Sequence, residues 1–143
     1  MNTVDYDTDF YCWTQQQADL LRQGQLQAVD AEHLAEEIED MGQSNRYALQ
    51  SYLCNVILHL LKWRHQPDRR GASWEGSIEN GRHRIARLLK NSPSLKAKLT
   101  EFVQDEYPQA RRNAARETGL PLNLFPELCP FTVEQIIGDD WPE

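Results

Sequence analysis

Between Ser44 and His65 the apolar residues recur at helical spacing and cover an unusually broad arc. Leu49, Leu53, Val56, Ile57, Leu60 and Leu61 line one side. Tyr52 and Trp63 widen it in one direction, and Cys54 and Leu58 in the other. An ordinary surface helix shows a single stripe, so an arc this wide belongs to a helix surrounded by neighbours. This segment is the expected centre of the fold. Ser44 is placed to cap it, and Gln66-Pro67 ends it, because the residue before a proline resists helical geometry.

The flanking segments keep the same period. Asp7 or Thr8 is placed to cap a first helix running to about Gln23, stopped by Gly24, with Tyr6, Phe10, Trp13, Gln17, Leu20 and Leu21 on one face. Asp30 caps a short second helix ending at Gly42, whose stripe is Ala31, Leu34, Ile38 and Met41. Beyond the long helix, Ser73 is expected to cap a helix from Trp74 to about Lys90. Ser92-Pro93 opens another that carries Leu95, Leu99, Phe102 and Val103, bends at Pro108 and stops at Gly119. Glu106 falls in that apolar stripe, close to the expected bend, where it should reach solvent or pair with an arginine. Phe125-Pro126 and Cys129-Pro130-Phe131 then form an extended strap, and Thr132 with Gln135 caps one last turn before Gly138. No segment alternates as a half-buried strand does. The expectation is an all-α fold, a single domain over residues 1–143, built as a bundle of about five helices with a long central helix and a C-terminal strap.

Charge is sorted into blocks. Met1 to Gly42 holds ten acids and one base (net −9), Gln43 to Gly119 holds seven acids and fourteen bases (net +7), and Leu120 to Glu143 holds five acids and no base (net −5). The overall −7 therefore hides a basic middle between acidic ends. No apolar run approaches the roughly 18 residues that a membrane span requires, and the N-terminus lacks the basic start and apolar core of a secretory signal, so the chain reads as cytoplasmic, with no membrane partner. Cys12, Cys54 and Cys129 are odd in number and widely spaced, and read as free thiols.

Several short strings, taken together, have a familiar order. They are Tyr6-Asp7-x-Asp9-Phe10-Tyr11-x-Trp13 with Gln17-Ala18-x-Leu20-Leu21-Arg22, Leu34-Ala35-Glu36-Glu37-Ile38-Glu39, and His59-Leu60-Leu61-Lys62-Trp63. Gln66-Pro67, Ser73-Trp74, Ser92-Pro93-Ser94-Leu95, Glu117-Thr118-Gly119-Leu120, Phe125-Pro126 and Cys129-Pro130-Phe131 follow. In this order and spacing the chain resembles the bacterial family catalogued as domain of unknown function twenty-nine, abundant in cyanobacteria. The resemblance covers nearly the whole chain. It implies an all-helical fold and brings no established activity, cofactor or catalytic residue with it. Two positions depart from the family pattern: Glu106 stands where a small residue usually precedes the tyrosine, and Gly81 where a long polar residue is common.

Motifs for chemistry are sparse. No glycine-rich phosphate loop precedes a Lys-Ser or Lys-Thr. His33-Leu34-Ala35-Glu36-Glu37 approaches a zinc-binding helix but carries Glu as its second ligand, so neither a metal set nor a cofactor follows from the sequence. Glu37 and His59 border their apolar stripes and would meet if their helices packed antiparallel. With Trp63, Ser73 and Trp74 they make the one polar and aromatic cluster that sequence offers as a candidate site. The simpler account is a half-buried histidine bonded to a carboxylate or carbonyl.

The second candidate is a basic surface of Arg64, Arg69, Arg70, Arg84 and Arg87, interleaved with the two indoles. Such a face can grip phosphates and stack bases. The competing account turns both indoles inward and leaves the arginines as a solvated helix face.

The reading that follows is a small cytosolic helical interaction module that binds a protein partner or its own copy. The alternative is nucleic-acid association through the basic middle, against which the acidic ends and the net charge weigh. An enzyme or metal site around Glu37 and His59 is a third reading that rests on that pair alone.

Overall fold

The computed structural model describes residues 5–143; the first four residues of the acidic block, part of the stretch read for a signal sequence, lie outside it. Its elements are five α-helices, with no strand among the described residues: α1 (Phe10–Arg22), α2 (Ala31–His65), α3 (Ala72–Asn91), α4 (Leu99–Thr118) and α5 (Val133–Ile137). Short 3₁₀ turns at Pro67–Arg69, Pro93–Lys98 and Leu122–Leu124 make the corners. The chain divides into two compact units, Met1–Gln43 and Ser44–Glu143, with the boundary inside α2.

In the N-terminal unit α1 is capped by Asp9 rather than by Asp7 or Thr8, its carboxylate accepting the Cys12 N–H at 3.0 Å. The earlier residues are used otherwise: the Asp5 carbonyl takes the N–H groups of Thr8 and Asp9, closing a turn ahead of the helix. The C-terminus of α1 follows the expectation. Gly24 adopts φ 72°, its N–H reaches the Leu21 carbonyl, and the Gln25 N–H reaches that of Leu20. This is the double closure of a Schellman motif, which needs a left-handed residue. Asp30 caps α2 as expected, accepting the His33 N–H.

The two helices expected on either side of Gly42 are one helix of 35 residues. Gly42 costs a helix only about 1 kcal/mol, and no proline follows to enforce a break. Ser44 is accordingly an exposed helical residue and caps nothing.

The core belongs to the C-terminal unit. Leu49, Leu53, Val56, Ile57, Leu60 and Leu61 are completely buried, as the broad arc requires, and pack with Ile78 and Ile85 of α3, Phe102, Ala110 and Ala114 of α4, and Phe125, Phe131 and Ile136 of the strap. Between Ile78 and Ile85 on the same buried face of α3, Gly81 lies against Val56: a Cβ there would stand 2.4 Å from Val56 Cγ2. Ser73 is not a cap; α3 begins one residue earlier with Gly71 in the cap position. Pro93 opens a 3₁₀ segment rather than the α-helix itself. Gly119, at φ 73°, ends α4, which runs on through Pro108 as one helix. Thr132 and Gln135 form the expected capping box: the Gln135 N–H donates to Thr132 Oγ1 at 3.1 Å and the Thr132 N–H to Gln135 Oε1 at 2.9 Å.

Candidate functional site

The polar and aromatic residues singled out in the sequence have separate surroundings. Glu37 belongs to the N-terminal unit, where its carboxylate accepts the Tyr6 hydroxyl. His59, on the same helix rather than on a facing one, is paired through Nδ1 with the Asn55 carbonyl at 2.8 Å, one turn back. The antiparallel arrangement that would have joined them required a break near Gly42 that does not occur. Ser73 is exposed.

Trp63 and Trp74 are both covered by cations of their own chain. The Arg70 guanidinium lies 5.0 Å from the Trp63 ring centre while its Nε donates to the Trp63 carbonyl at 2.7 Å, and Lys62 Nζ lies 5.1 Å from the Trp74 ring centre. Lys62 is buried and bridges to Glu117 at 3.1 Å. Arg64 stacks at 4.7 Å over Phe131, and Trp63 packs 4.7 Å from Trp141. His65 lies against Phe125, and burial, with Arg64 beside it, pushes its pKa down. Of the five arginines in the candidate basic surface, Arg64 and Arg70 are thus half-buried against aromatic rings, and Arg69, Arg84 and Arg87 are exposed.

Three arrangements were not legible in the sequence. In the N-terminal unit, Tyr6 and His33 stack at 4.1 Å, and Tyr6 meets Trp13 edge-on at 4.8 Å. Beneath them Asp30 gathers the Trp13 indole N–H at 3.1 Å and His33 Nδ1 at 2.6 Å, while its own N–H donates to buried Gln17 at 2.7 Å. The hydrogen bond to Asp30 raises the pKa of His33, and the same bond lowers that of Asp30. The Tyr6 hydroxyl is pushed up to about 12, mainly by its bond to Glu37. In the sequence this network shows as an i, i+3 Asp-His pair and as Tyr6, Trp13 and Gln17 on one face of the expected first helix, and nothing local joins the two.

The second arrangement is Arg82, 8% exposed, whose guanidinium holds the strap. Its Nε donates to the Ile136 carbonyl at 2.9 Å, and Nη2 to those of Gln135 at 2.8 Å and Asp140 at 2.6 Å. Burial lowers its pKa, with Asp139, Asp140 and Glu79 acting in the opposite direction. Two of the three acceptors lie in the last turn of α5, where carbonyls have no helical partner of their own. Trp141 lies 5.4 Å from the guanidinium and closes the clasp.

The third is a cleft of about 580 Å³ between α4 and the strap. The buried side chains Val103, Tyr107 and Phe131 are among those lining it, and Gln104, Leu128 and Glu134 lie at its exposed edge. The Tyr107 hydroxyl donates to the Pro126 carbonyl at 2.5 Å and Arg111 Nε to that of Phe125 at 3.1 Å, so the strap is pinned to α4 just ahead of the cleft.

A family model, the domain of unknown function DUF29, matches residues 6–142. The chain belongs to the DUF29 family. No curated protein and no solved structure matches it. Within this DUF29 chain the two departures from the family pattern have distinct surroundings. Gly81 is buried against Val56, where a long side chain would not fit without separating α2 from α3. Glu106 is half-buried and is in none of the ion pairs among the described residues. Burial, and then Asp105, raise its pKa, and it helps burial to push the Cys54 thiol up to about 11. No helix among the described residues is long and apolar enough to cross a membrane.

Proposed function

We propose that this chain is a small helical interaction module that docks a protein partner through its acidic N-terminal unit. The observation that carries the reading is where apolar surface is left uncovered. Phe10, Tyr11, Leu21, Leu26, Ile38 and Met41 are exposed in the short N-terminal unit, against Tyr47, Leu122, Leu124, Leu128 and Trp141 in the much longer C-terminal one. Leu34, Ile38 and Met41, at i, i+4 and i+7, share one face of α2, and the last two are 61% and 63% exposed. Neighbouring helical positions carry Glu36, Glu39 and Asp40. An apolar helix face edged with acids fits a partner that offers an apolar groove with a basic rim. The net charge of −9 on this block opposes pairing of two such faces, which favours a different protein over a second copy.

The test is site-specific photocrosslinking from position 38 in cells, compared with the same crosslinker at exposed Glu75. A discrete protein adduct at position 38, absent from position 75 and lost when Met41→Asp is added, supports the reading. Identical adducts at both positions, unaffected by Met41→Asp, refute it, and an adduct of the chain with itself transfers the role to self-association.

A further inference from the structure

The cleft of the C-terminal unit has a chemistry of its own. Its inner wall is apolar and aromatic, from Val103, Tyr107 and Phe131, all nearly inaccessible to solvent. Its volume of about 580 Å³ falls among those of ligand sites, roughly 300–1,000 Å³. Every charged group that lines it is an acid, Glu127 and Glu134. The other two titratable groups are neutral walls: burial holds both the Tyr107 hydroxyl and the Cys129 thiol above their usual ranges, and each already donates to a strap carbonyl. The cleft therefore combines an apolar lining with carboxylate acceptors and, among the described residues, no cation.

Leu128 lines the cleft at its rim and is 82% exposed, so most of its apolar surface faces away from the cavity. A ligand held inside the cavity covers only part of this leucine, whereas an extended chain that runs over the rim covers the rest. We infer that the cleft between α4 and the strap binds a peptide segment of a partner protein, one that buries an apolar side chain against the accessible lining of Pro108, Leu128 and Val133, which the buried Tyr107 and Phe131 back, and presents a lysine or arginine beside it to Glu127 and Glu134. This goes beyond the docking face on α2 and uses different residues in the other unit. The acids give the segment its orientation and sign, and the apolar anchor gives most of the affinity.

Panning a displayed library of random decapeptides against the full-length chain tests this, followed by anisotropy titration of a fluorescein-labelled synthetic copy of the enriched sequence. The expected consensus is an apolar residue next to Lys or Arg. Gln104→Trp, at an exposed rim position, should fill the cleft and weaken binding about tenfold or more, as loss of an anchor contact does. Glu127→Gln with Glu134→Gln should weaken it about fivefold and flatten its salt dependence. Ile38→Asp with Met41→Asp should leave the titration unchanged, which separates this site from the docking face on α2. Circular dichroism of each variant confirms that the fold is retained. The inference is overturned if panning yields no consensus or one without a basic residue, or if Gln104→Trp binds like wild type. Loss of binding in the Ile38 and Met41 variant also overturns it, as does a dimer of the chain that Gln104→Trp splits in the absence of a peptide consensus.

Discussion

Replacing Arg82 with methionine keeps most of the side-chain stem and removes only the head group, which isolates what the guanidinium does for the strap. Three carbonyls lose their donor. The one on Ile136 is in a buried bond and is left without a partner, at about 1–3 kcal/mol. The bonds to Gln135 and Asp140 are partly buried, so water recovers part of each, leaving about 1 kcal/mol lost per bond. The sum is about 3–5 kcal/mol. Urea unfolding followed by circular dichroism gives the magnitude, and hydrogen exchange read by mass spectrometry gives the place. Protection should fall first at Ile136, Ile137 and the residues after them, because α5 has only five residues and its last carbonyls depend on Arg82. Arg82→Lys retains the charge but one nitrogen cannot reach all three oxygens in the geometry of a planar fork, so it should fall between wild type and Arg82→Met. A loss below about 1 kcal/mol for Arg82→Met, or one whose exchange changes are not centred on the strap, would refute the clasp.

Gly81→Ala should destabilise the chain by about 1–3 kcal/mol, although alanine favours a helix over glycine by about 1 kcal/mol, because the new methyl would meet Val56 Cγ2 at 2.4 Å. Thermal unfolding of the double variant with Val56→Ala should show a smaller loss than the two single losses combined, and simple additivity would count against the close approach. The bridge between His33 and Asp30 predicts a pH dependence. The folded pKa of His33 is raised above 6.5, so its contribution is complete below that value and is lost as pH rises through the folded pKa. That of Asp30 is lowered below 3.8, so its contribution is present above that value and is lost as pH falls through the folded pKa. The NMR titration midpoint of the His33 ring should therefore exceed 6.5 and drop in Asp30→Asn; a wild-type midpoint at or below 6.5 would contradict the bridge.

Much of the architecture was written in local patterns. The apolar arc from Leu49 to Leu61 announced a surrounded helix because burial on that scale needs helical spacing and nothing else. Asp30, Gly24, Gly119 and the Thr132-Gln135 pair marked helix ends because a cap is chemistry between residues at most a few positions apart. Where two local choices were close in energy the local pattern pointed to the wrong one: the cap expected at Asp7 or Thr8 lies at Asp9, and the helix expected to end at Gly42 continues. Asp7, Thr8 and Asp9 all make good caps, and the turn closed by the Asp5 carbonyl selected the third. Gly42 is poor in a helix but not prohibitive, and α2 runs through it.

The sites depended on contacts that no spacing encodes. Arg82 looks like any basic residue on a helix, and only the return of the strap 53 to 58 residues later gives three of its five donors carbonyls to bind. Arg64 and Arg70 read as part of a phosphate grip until Phe131 and Trp63 lie beside them and turn the same charges to holding the fold. The cleft exists because Tyr107 and Arg111 pin the strap at Phe125 and Pro126 and leave the next residues standing off α4. Sequence by itself determined the helical class and the helix ends marked by Gly24, Asp30, Pro67, Gly119 and the Thr132-Gln135 pair, since those follow from residues within a turn or two. The tertiary structure decided which charges are spent inside and which surfaces stay open, since desolvation and pairing depend on segments that meet only when the chain has folded.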